Sequence, residues 1–287
     1  MEFKGKVAVI TGGASGIGRS VALALARLGT DIAVADIDDA GLENVQKEIE
    51  SLGRRALAIH CDVSKDADID NLADKTFTNM DRVDILMNNA GVALRGKVEK
   101  ISITDWEWIL GINLLGVIRG VHAFLPHMLE RGSGYIINTS SGNGLVAAEP
   151  PPVAAEGIAY TTSKYGIVGF SEGLYGYLRP KGIMVSVLCP GLVRTNLAPT
   201  ARYIGDDSEE INKLKEVEKV FETESLSDPV KSLEILEPDD VAPIVIRSME
   251  EKRFFIITHE SMQAHLKRRG QDMEKLERHL QDIFGDK

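Results

Sequence analysis

Tyr160 and Lys164, in the stretch IAYTTSK, stand four positions apart, the spacing that stacks two side chains on one face of a helix. A phenol and an ammonium held side by side make an acid–base device, because the cation favours the phenolate and brings a weak acid toward a pH at which it exchanges protons. Taken alone, the pair fits two solvated residues on a helix surface equally well. Its setting gives it meaning. Immediately upstream, Pro150, Pro151 and Pro152 forbid a helix interior or a central strand, so a stiff loop introduces the helix.

A second constellation lies near the start of the chain. In VAVITGGASGIGRSVALALA a β-branched run meets a helical pattern through Gly12, Gly16 and Gly18. Side chains there would hold a pyrophosphate away from the backbone N–H groups and from the positive end of the helix, so glycines mark where phosphates come closest. Asp36 closes the next strand-like run, where a carboxylate can accept both adenosine ribose hydroxyls and would repel a 2′-phosphate. Ile37 and Asp38 supply no arginine, and Ala14 and Ser15 fill the turn where a basic residue could have stood. NAD is favoured over NADP. The competing reading makes Asp36 the cap of the helix that follows.

Short β-branched runs at 7–11, 31–36, 56–63, 83–91, 135–141, 183–189 and 253–258 alternate with helical patterns at 17–28, 39–52, 66–79, 104–131 and 160–178. That alternation predicts an α/β fold: one doubly wound domain with a mainly parallel sheet of about seven strands flanked by helices. The rhythm breaks at 192–237, a polar stretch with a surface helix expected in DDSEEINKLKEVEKVFETE, read as a lid within the single domain 1–287. In the C-terminal extension 262–287, Leu266, Met273, Leu276, Leu280 and Ile283 share one helical stripe that docks on a core or a subunit.

Composition excludes several classes. The 287 residues are 44% apolar and 26% charged with a net charge of −10 and no basic block, so neither nucleic acid nor an anionic membrane is an expected partner. No secretory leader is readable, and no stretch is expected to hold the roughly 20 apolar residues that span a bilayer. Two distant cysteines, Cys61 and Cys189, suit buried thiols in a reducing compartment, and the six histidines show no metal-ligand spacing. A metal-free cytoplasmic protein is expected.

These segments together resemble the short-chain dehydrogenase/reductase family. The resemblance runs from TGGASGIG (11–18) and Asp36 through CDV (61–63), NNAG (88–91), Asn113 in GINLLG and the serines of INTSSGNG to YTTSK (160–164) and PGLVRT (190–195). It implies a Rossmann-type domain and a catalytic tetrad of Asn113, Ser141, Tyr160 and Lys164, with Ser141 preferred to Ser140 because it precedes Gly142-Asn143-Gly144. It also implies cofactor contacts from Gly12, Ser15, Gly16, Ile17, Gly18, Asp36, Asp62, Val63, Asn89, Tyr160, Lys164, Val193 and Thr195. Bringing a phenol of pKa near 10 down by about 3 pH units takes about 4 kcal/mol, which the Lys164 ammonium and the positive nicotinamide ring would supply. Tyr160 would then take the proton of an alcohol as hydride leaves its carbon, Ser141 would hold the same oxygen, Lys164 would reach the nicotinamide ribose, and Asn113 would hold a proton-relaying water.

The segment from Ser141 to Tyr160, 19 positions, is longer than in many relatives, so 147–157 reads as an insertion, either at the pocket mouth with Leu145, Val146 and Val153 shaping substrate space or one that only covers surface. Leu192, Leu197, Ile204 and Phe221 suggest a lipophilic secondary alcohol or ketone, whereas Trp106 and Trp108 read as packing or interface residues. The resemblance implies a homodimer or homotetramer, and Gly166, Gly169, Gly173 and Gly176 would allow the close helix approach this needs. Two other readings compete: an NADPH-dependent ketoacyl-type reductase, opposed by Asp36 and by the negative charge of the chain, and a non-catalytic dinucleotide sensor, which needs no complete tetrad.

Overall fold

The runs VAVIT, DIAVAD and IMVSVLC are apolar almost without interruption, the pattern of strands covered on both faces. In the computed structural model, which describes residues 2–146, 157–205 and 234–260 with Asn212, Met262 and Leu266, they become central strands. In chain order the strands are β1 (Val7–Thr11), β2 (Asp31–Asp36), β3 (Ala56–His60), β4 (Ile85–Asn88), β5 (Leu94–Gly96), β6 (Gly134–Thr139), β7 (Ile183–Cys189), β8 (Arg202–Ile204) and β9 (Phe255–Ile257). Seven pair in parallel in the order β3-β2-β1-β4-β6-β7-β9. The chain winds outward from β1 to β3 and crosses back to β4, so a crevice opens between β1 and β4 at their carboxyl ends.

The helices are α1 (Gly16–Arg27), α2 (Asp39–Ser51), α3 (Asp66–Met80), α4 (Ile103–Asn113), α5 (Leu115–Arg131), α6 (Ile158–Leu178) and α7 (Pro238–Glu250). One core lies between the sheet and α1, α2 and α7, where Leu25, Val45, Ile49 and Val245 are buried with Ile10 and Ile32. The second lies on the other face, where Leu72 of α3 and Val121, Phe124 and Met128 of α5 cover Val9, Leu86 and Ile136. A doubly wound α/β domain is thus what the alternating pattern produces.

Several boundaries differ from the sequence reading. The expected single helix over 104–131 breaks at Leu114, and Asn113 at the break turns its amide onto the backbone of Val92. The same run corrects the expectation that no stretch is apolar enough for a bilayer: Ile103–Arg131, 29 residues containing an 18-residue window with a mean hydropathy of 1.6, passes by length and composition. Its hydrophobicity has a core explanation, since Gly116, Val117, Gly120, Val121, Phe124 and Met128 are buried, with Val121, Phe124 and Met128 against the sheet. The paired three-residue strands β5 and β8 are too short to show periodicity and were not foreseen. Three predicted strands end early, β3 at His60, β4 at Asn88 and β6 at Thr139.

Met262 and Leu266 at the start of the C-terminal extension pack with Leu145, Ile167 and Val187. Met273, Leu276, Leu280 and Ile283, the expected surface helix at 206–224 with Phe221, and the segment 147–156 with Val153 lie outside the described residues.

Close packing of α5 on the sheet yields a test. A Cβ on Gly120 would fall 2.1 Å from Asn88 Oδ1, whereas one on Gly111 of α4 meets nothing within 4 Å. Urea unfolding should therefore find Gly120→Ala destabilised by about 1–3 kcal/mol and Gly111→Ala neutral or stabilised by up to about 1 kcal/mol. Equal effects at the two sites would contradict this packing.

Candidate active site

Where the early-ending strands leave the ladder, their next residues form the walls of a cleft of about 580 Å³: Cys61, Asp62 and Val63 after β3, Asn89 to Val92 after β4, and Ser140 and Ser141 after β6. Gly12, Ser15, Gly16 and Ile17 line it at the start of α1, Asp36 at the end of β2, Tyr160 and Lys164 on α6, and Val193 and Thr195 after β7. Two expected residues do not line it, Gly18 and Asn113.

The glycine turn has the form a dinucleotide needs. Gly12 has φ +64°, and a Cβ there would sit 2.8 Å from Ala90 Cα. Gly18 works one step back: its Cβ would strike Gly12 O at 2.2 Å, so it presses α1 onto the turn. The first turn of α1 holds no acidic residue, and the Ser15 side chain makes no cap bond, leaving N–H groups and a hydroxyl at the positive end of the helix for an anion. Asn89 fastens the floor, donating from Nδ2 to Gly12 O at 3.1 Å while its backbone amide donates to Thr11 Oγ1 at 3.0 Å.

Asp36 does not cap α2. That cap is Asp38, which accepts from Gly41 N at 3.1 Å. Asp36 Oδ2 accepts from Ala14 N at 3.1 Å, and Oδ1 from Ile37 N and Asp38 N at 2.7 and 3.2 Å. Asp62, along the same wall, is partly desolvated, which opposes ionisation, but the hydroxyl and amide of Ser64 with Lys65 outweigh this and hold its carboxyl below the usual range.

At the other end, Lys164 is 3% exposed, and its Nζ donates to Thr139 O at 3.1 Å and lies 5.5 Å from the centre of the Tyr160 ring. Burial pushes the Lys164 ammonium down to about 8, so it is still mainly a cation at neutrality. Arg95 of β5 places a second cation, its guanidinium, 5.9 Å from the centre of the same ring. Of the serine pair, Ser140 spends its hydroxyl on Lys164 O at 2.8 Å, whereas Ser141 accepts from Asn143 N at 3.2 Å and keeps its proton available to the cleft.

Asn113 is fully buried. Its Oδ1 accepts from Val92 N at 2.8 Å, and its Nδ2 donates to Val92 O and Ser163 Oγ, both at 3.0 Å. Those bonds describe a residue that fixes the loop after β4, since a Cβ on Gly91 would lie between Asn113 Oδ1 and Lys164 Nζ, 3.2 and 3.4 Å away.

Sequence reasoning missed Trp108. It lines the cleft with Ile112 and Leu197, and Arg202 stacks over its ring at 3.8 Å while pairing with Asp105 at 2.9 Å. The contact joins α4 to β8, so no local pattern could have revealed it. Conversely, Leu145 and Val146 pack in the core under α6, Ile204 packs beside Leu94, and Leu192 is not among the lining residues.

The sequence profile described as short chain dehydrogenase matches residues 6–203. A short-chain dehydrogenase/reductase from Burkholderia phymatum, solved in complex with NAD, superimposes with a TM-score of 0.83 at 32% identity over 96% of both chains. A dehydrogenase/reductase of CLA biosynthesis from Lactiplantibacillus plantarum is 31% identical over 90% of this chain and 89% of its own. An alcohol dehydrogenase from Thermococcus sibiricus, complexed with 5-hydroxy-NADP, aligns with a TM-score of 0.68 at 26% identity over 88% of this chain and 95% of its own. With its parallel sheet, glycine turn and tyrosine–lysine helix in the same order, this chain belongs to the short-chain dehydrogenase/reductase family of oxidoreductases.

Proposed function

We propose that the protein transfers hydride between the carbinol carbon of a lipophilic secondary alcohol, or the matching ketone, and NAD, with Tyr160 as general base and acid. The observation that carries this reading is the buried Lys164 ammonium 5.5 Å from the Tyr160 ring, in one cleft with Ser141, the glycine turn and Asp36. NAD, when bound, supplies the hydride acceptor and a positive ring. Tyr160, beside a cation that favours its phenolate, removes the alcohol proton, and in the reverse direction returns it to the carbonyl oxygen. Ser141 donates its free hydroxyl to that oxygen, so the developing charge has two partners in a site poor in water. Asn113 keeps the loop at Gly91 and Val92 in place beside Lys164.

Asp36 supports NAD, because its carboxylate, fixed by three backbone amides at the cleft, would meet a 2′-phosphate with like charge. Trp108, Val92, Ile112 and Leu197 give the substrate end an apolar lining, in keeping with a lipophilic substrate. Leu115, Ile158 and Tyr177 are exposed large apolar residues, and a Cβ on Gly169, Gly173 or Gly176 would meet nothing within 4 Å, which supports docking of a second copy along α6. Both cysteines are buried free thiols, in keeping with the cytoplasm.

An alcohol panel run with NAD and NADP side by side tests the reading. Production of NADH should fall about 10²–10⁴-fold in Tyr160→Phe with NAD affinity little changed; retained turnover would remove Tyr160 from the chemistry. Asp36→Ser should narrow the preference for NAD over NADP by about tenfold or more, and an unchanged ratio of kcat/KM values would show that Asp36 does not set it. Lys164 adds a pH signature. Its folded value of about 8 lies below the ordinary 10.5, so between them the unfolded chain binds more protons and stability rises with pH, by up to about 3 kcal/mol. Denaturant unfolding across that window should show the rise in the wild type and its loss in Lys164→Met.

A further inference from the structure

None of this chemistry uses His259, yet the residue is 3% exposed and both ring nitrogens are engaged. Nδ1 lies 3.2 Å from Gly191 N and 2.6 Å from Thr258 Oγ1; Nε2 lies 3.1 Å from both Leu192 O and Glu234 O. These partners assign the proton. Two carbonyls can only accept, so Nε2 carries hydrogen, and a backbone amide can only donate, so Nδ1 is bare. The Thr258 hydroxyl completes the set by donating to Nδ1 while its oxygen accepts from Gly191 N at 3.1 Å. Only the neutral Nε2–H tautomer satisfies every contact.

The carbonyls belong to chain segments far apart in sequence. Gly191 and Leu192 leave the end of β7, and Glu234 precedes α7. Nearby the two segments are joined again: Leu236 N donates to Leu192 O at 3.0 Å, Arg194 N to Leu236 O at 2.9 Å, and Arg194 Nε pairs with Glu237 at 2.8 Å. His259 itself follows β9, so one imidazole ties the edge of the sheet to both segments. Space is tight as well, since a Cβ on Gly191 would fall 2.6 Å from Nδ1.

What the imidazole holds in place is a cleft wall. Pro190, Gly191, Val193 and Thr195 all line it, and Pro190 O accepts from Gly142 N at 2.7 Å, linking this wall to the turn that carries Ser141. We infer that His259 is a positioning residue, whose bonds to Gly191, Leu192 and Glu234 set the Pro190–Thr195 wall and so the affinity for the nicotinamide half of the dinucleotide. This inference rests on the NAD reading above, and its test separates the two. The adenosine half meets Asp36, Asp62 and Val63 elsewhere in the cleft, so AMP serves as a control that does not depend on the wall.

The full-length chain is compared with His259→Ala and Thr258→Val by calorimetric titration with NAD and with AMP, with thermal unfolding recorded in parallel. Losing these hydrogen bonds should weaken NAD binding about tenfold in His259→Ala while AMP stays within about twofold; Thr258→Val should weaken NAD binding by about threefold, again with AMP little changed. A parallel loss of NAD and AMP, or no loss of either, overturns the positioning role. If His259→Ala does not fold, the NAD-to-AMP ratio of Thr258→Val decides. A wild type that binds neither nucleotide defeats the cofactor reading first, and this inference with it.

Discussion

A lysine ammonium that is almost fully enclosed, with Thr139 O as a hydrogen-bond acceptor 3.1 Å away, is the constraint around which the site is arranged. Burying a cation is unfavourable unless its charge is used and its donors are met, and here burial draws the ammonium down to about 8 without removing its charge at neutrality. The surroundings keep it in place. Ser140 bonds the Lys164 carbonyl from below, Gly144 passes so near that a Cβ would meet that carbonyl at 2.7 Å, and Gly91 leaves the space above Nζ open. A larger residue at any of these points would move the charge relative to the Tyr160 ring.

The cleft exists because the edge strand β3 and the central strands β4 and β6 stop early. Residues that look like strand in the sequence, Cys61 to Val63, Asn89 to Gly91 and Ser140 with Ser141, follow the strand ends, where Cys61 N and Ser140 N donate the last bonds to Asp36 O and Leu188 O at 2.9 and 2.7 Å, and they line the opening. Such freed strand ends need other bonds, and the structure supplies them: Thr11 Oγ1 accepts from Asn89 N and Ala90 N, Thr139 Oγ1 donates to Asn89 Oδ1, and Asp62 N donates to Asp68. The polar residues of the motifs therefore serve the fold before any ligand arrives, which is one physical reason they occur together.

This dual use also explains what could be read in advance. The sheet, the glycine turn, Asp36 and the Tyr160–Lys164 pair were legible because each is local: a β-branched run, a close approach that only glycine allows, an i to i+4 spacing. Preference for Ser141 came from a resemblance and acquired a physical reason only when Ser140 was found bonded to Lys164 O. The break at Leu114 was hidden because the residues on both sides are helical and apolar, and the cause, Asn113 reaching Val92, spans 21 positions. Trp108 and His259 were invisible for the same reason, since their meaning lies in Arg202 and in Gly191, Leu192 and Glu234, partners no window of sequence contains.

The register of α6 follows from a similar long-range device. Apolar contact from its Ile167, Val168 and Leu178 to the sheet does not by itself fix one alignment. A buried polar chain does so instead: Asn88 Nδ2 donates to Asn138 Oδ1 at 2.9 Å, Asn138 Nδ2 to Ser171 Oγ at 3.0 Å, and Ser171 Oγ to Ile167 O at 2.7 Å. Directional bonds of this kind specify one alignment where smooth apolar contacts would tolerate several. Ser171 stands two helical turns from Lys164 on the same face, so fixing it against β4 and β6 fixes the ammonium as well. The pair to which the chemistry is assigned by proposal is thus placed by side chains beneath it, and the reach of the ammonium to Thr139 O is the visible end of that alignment.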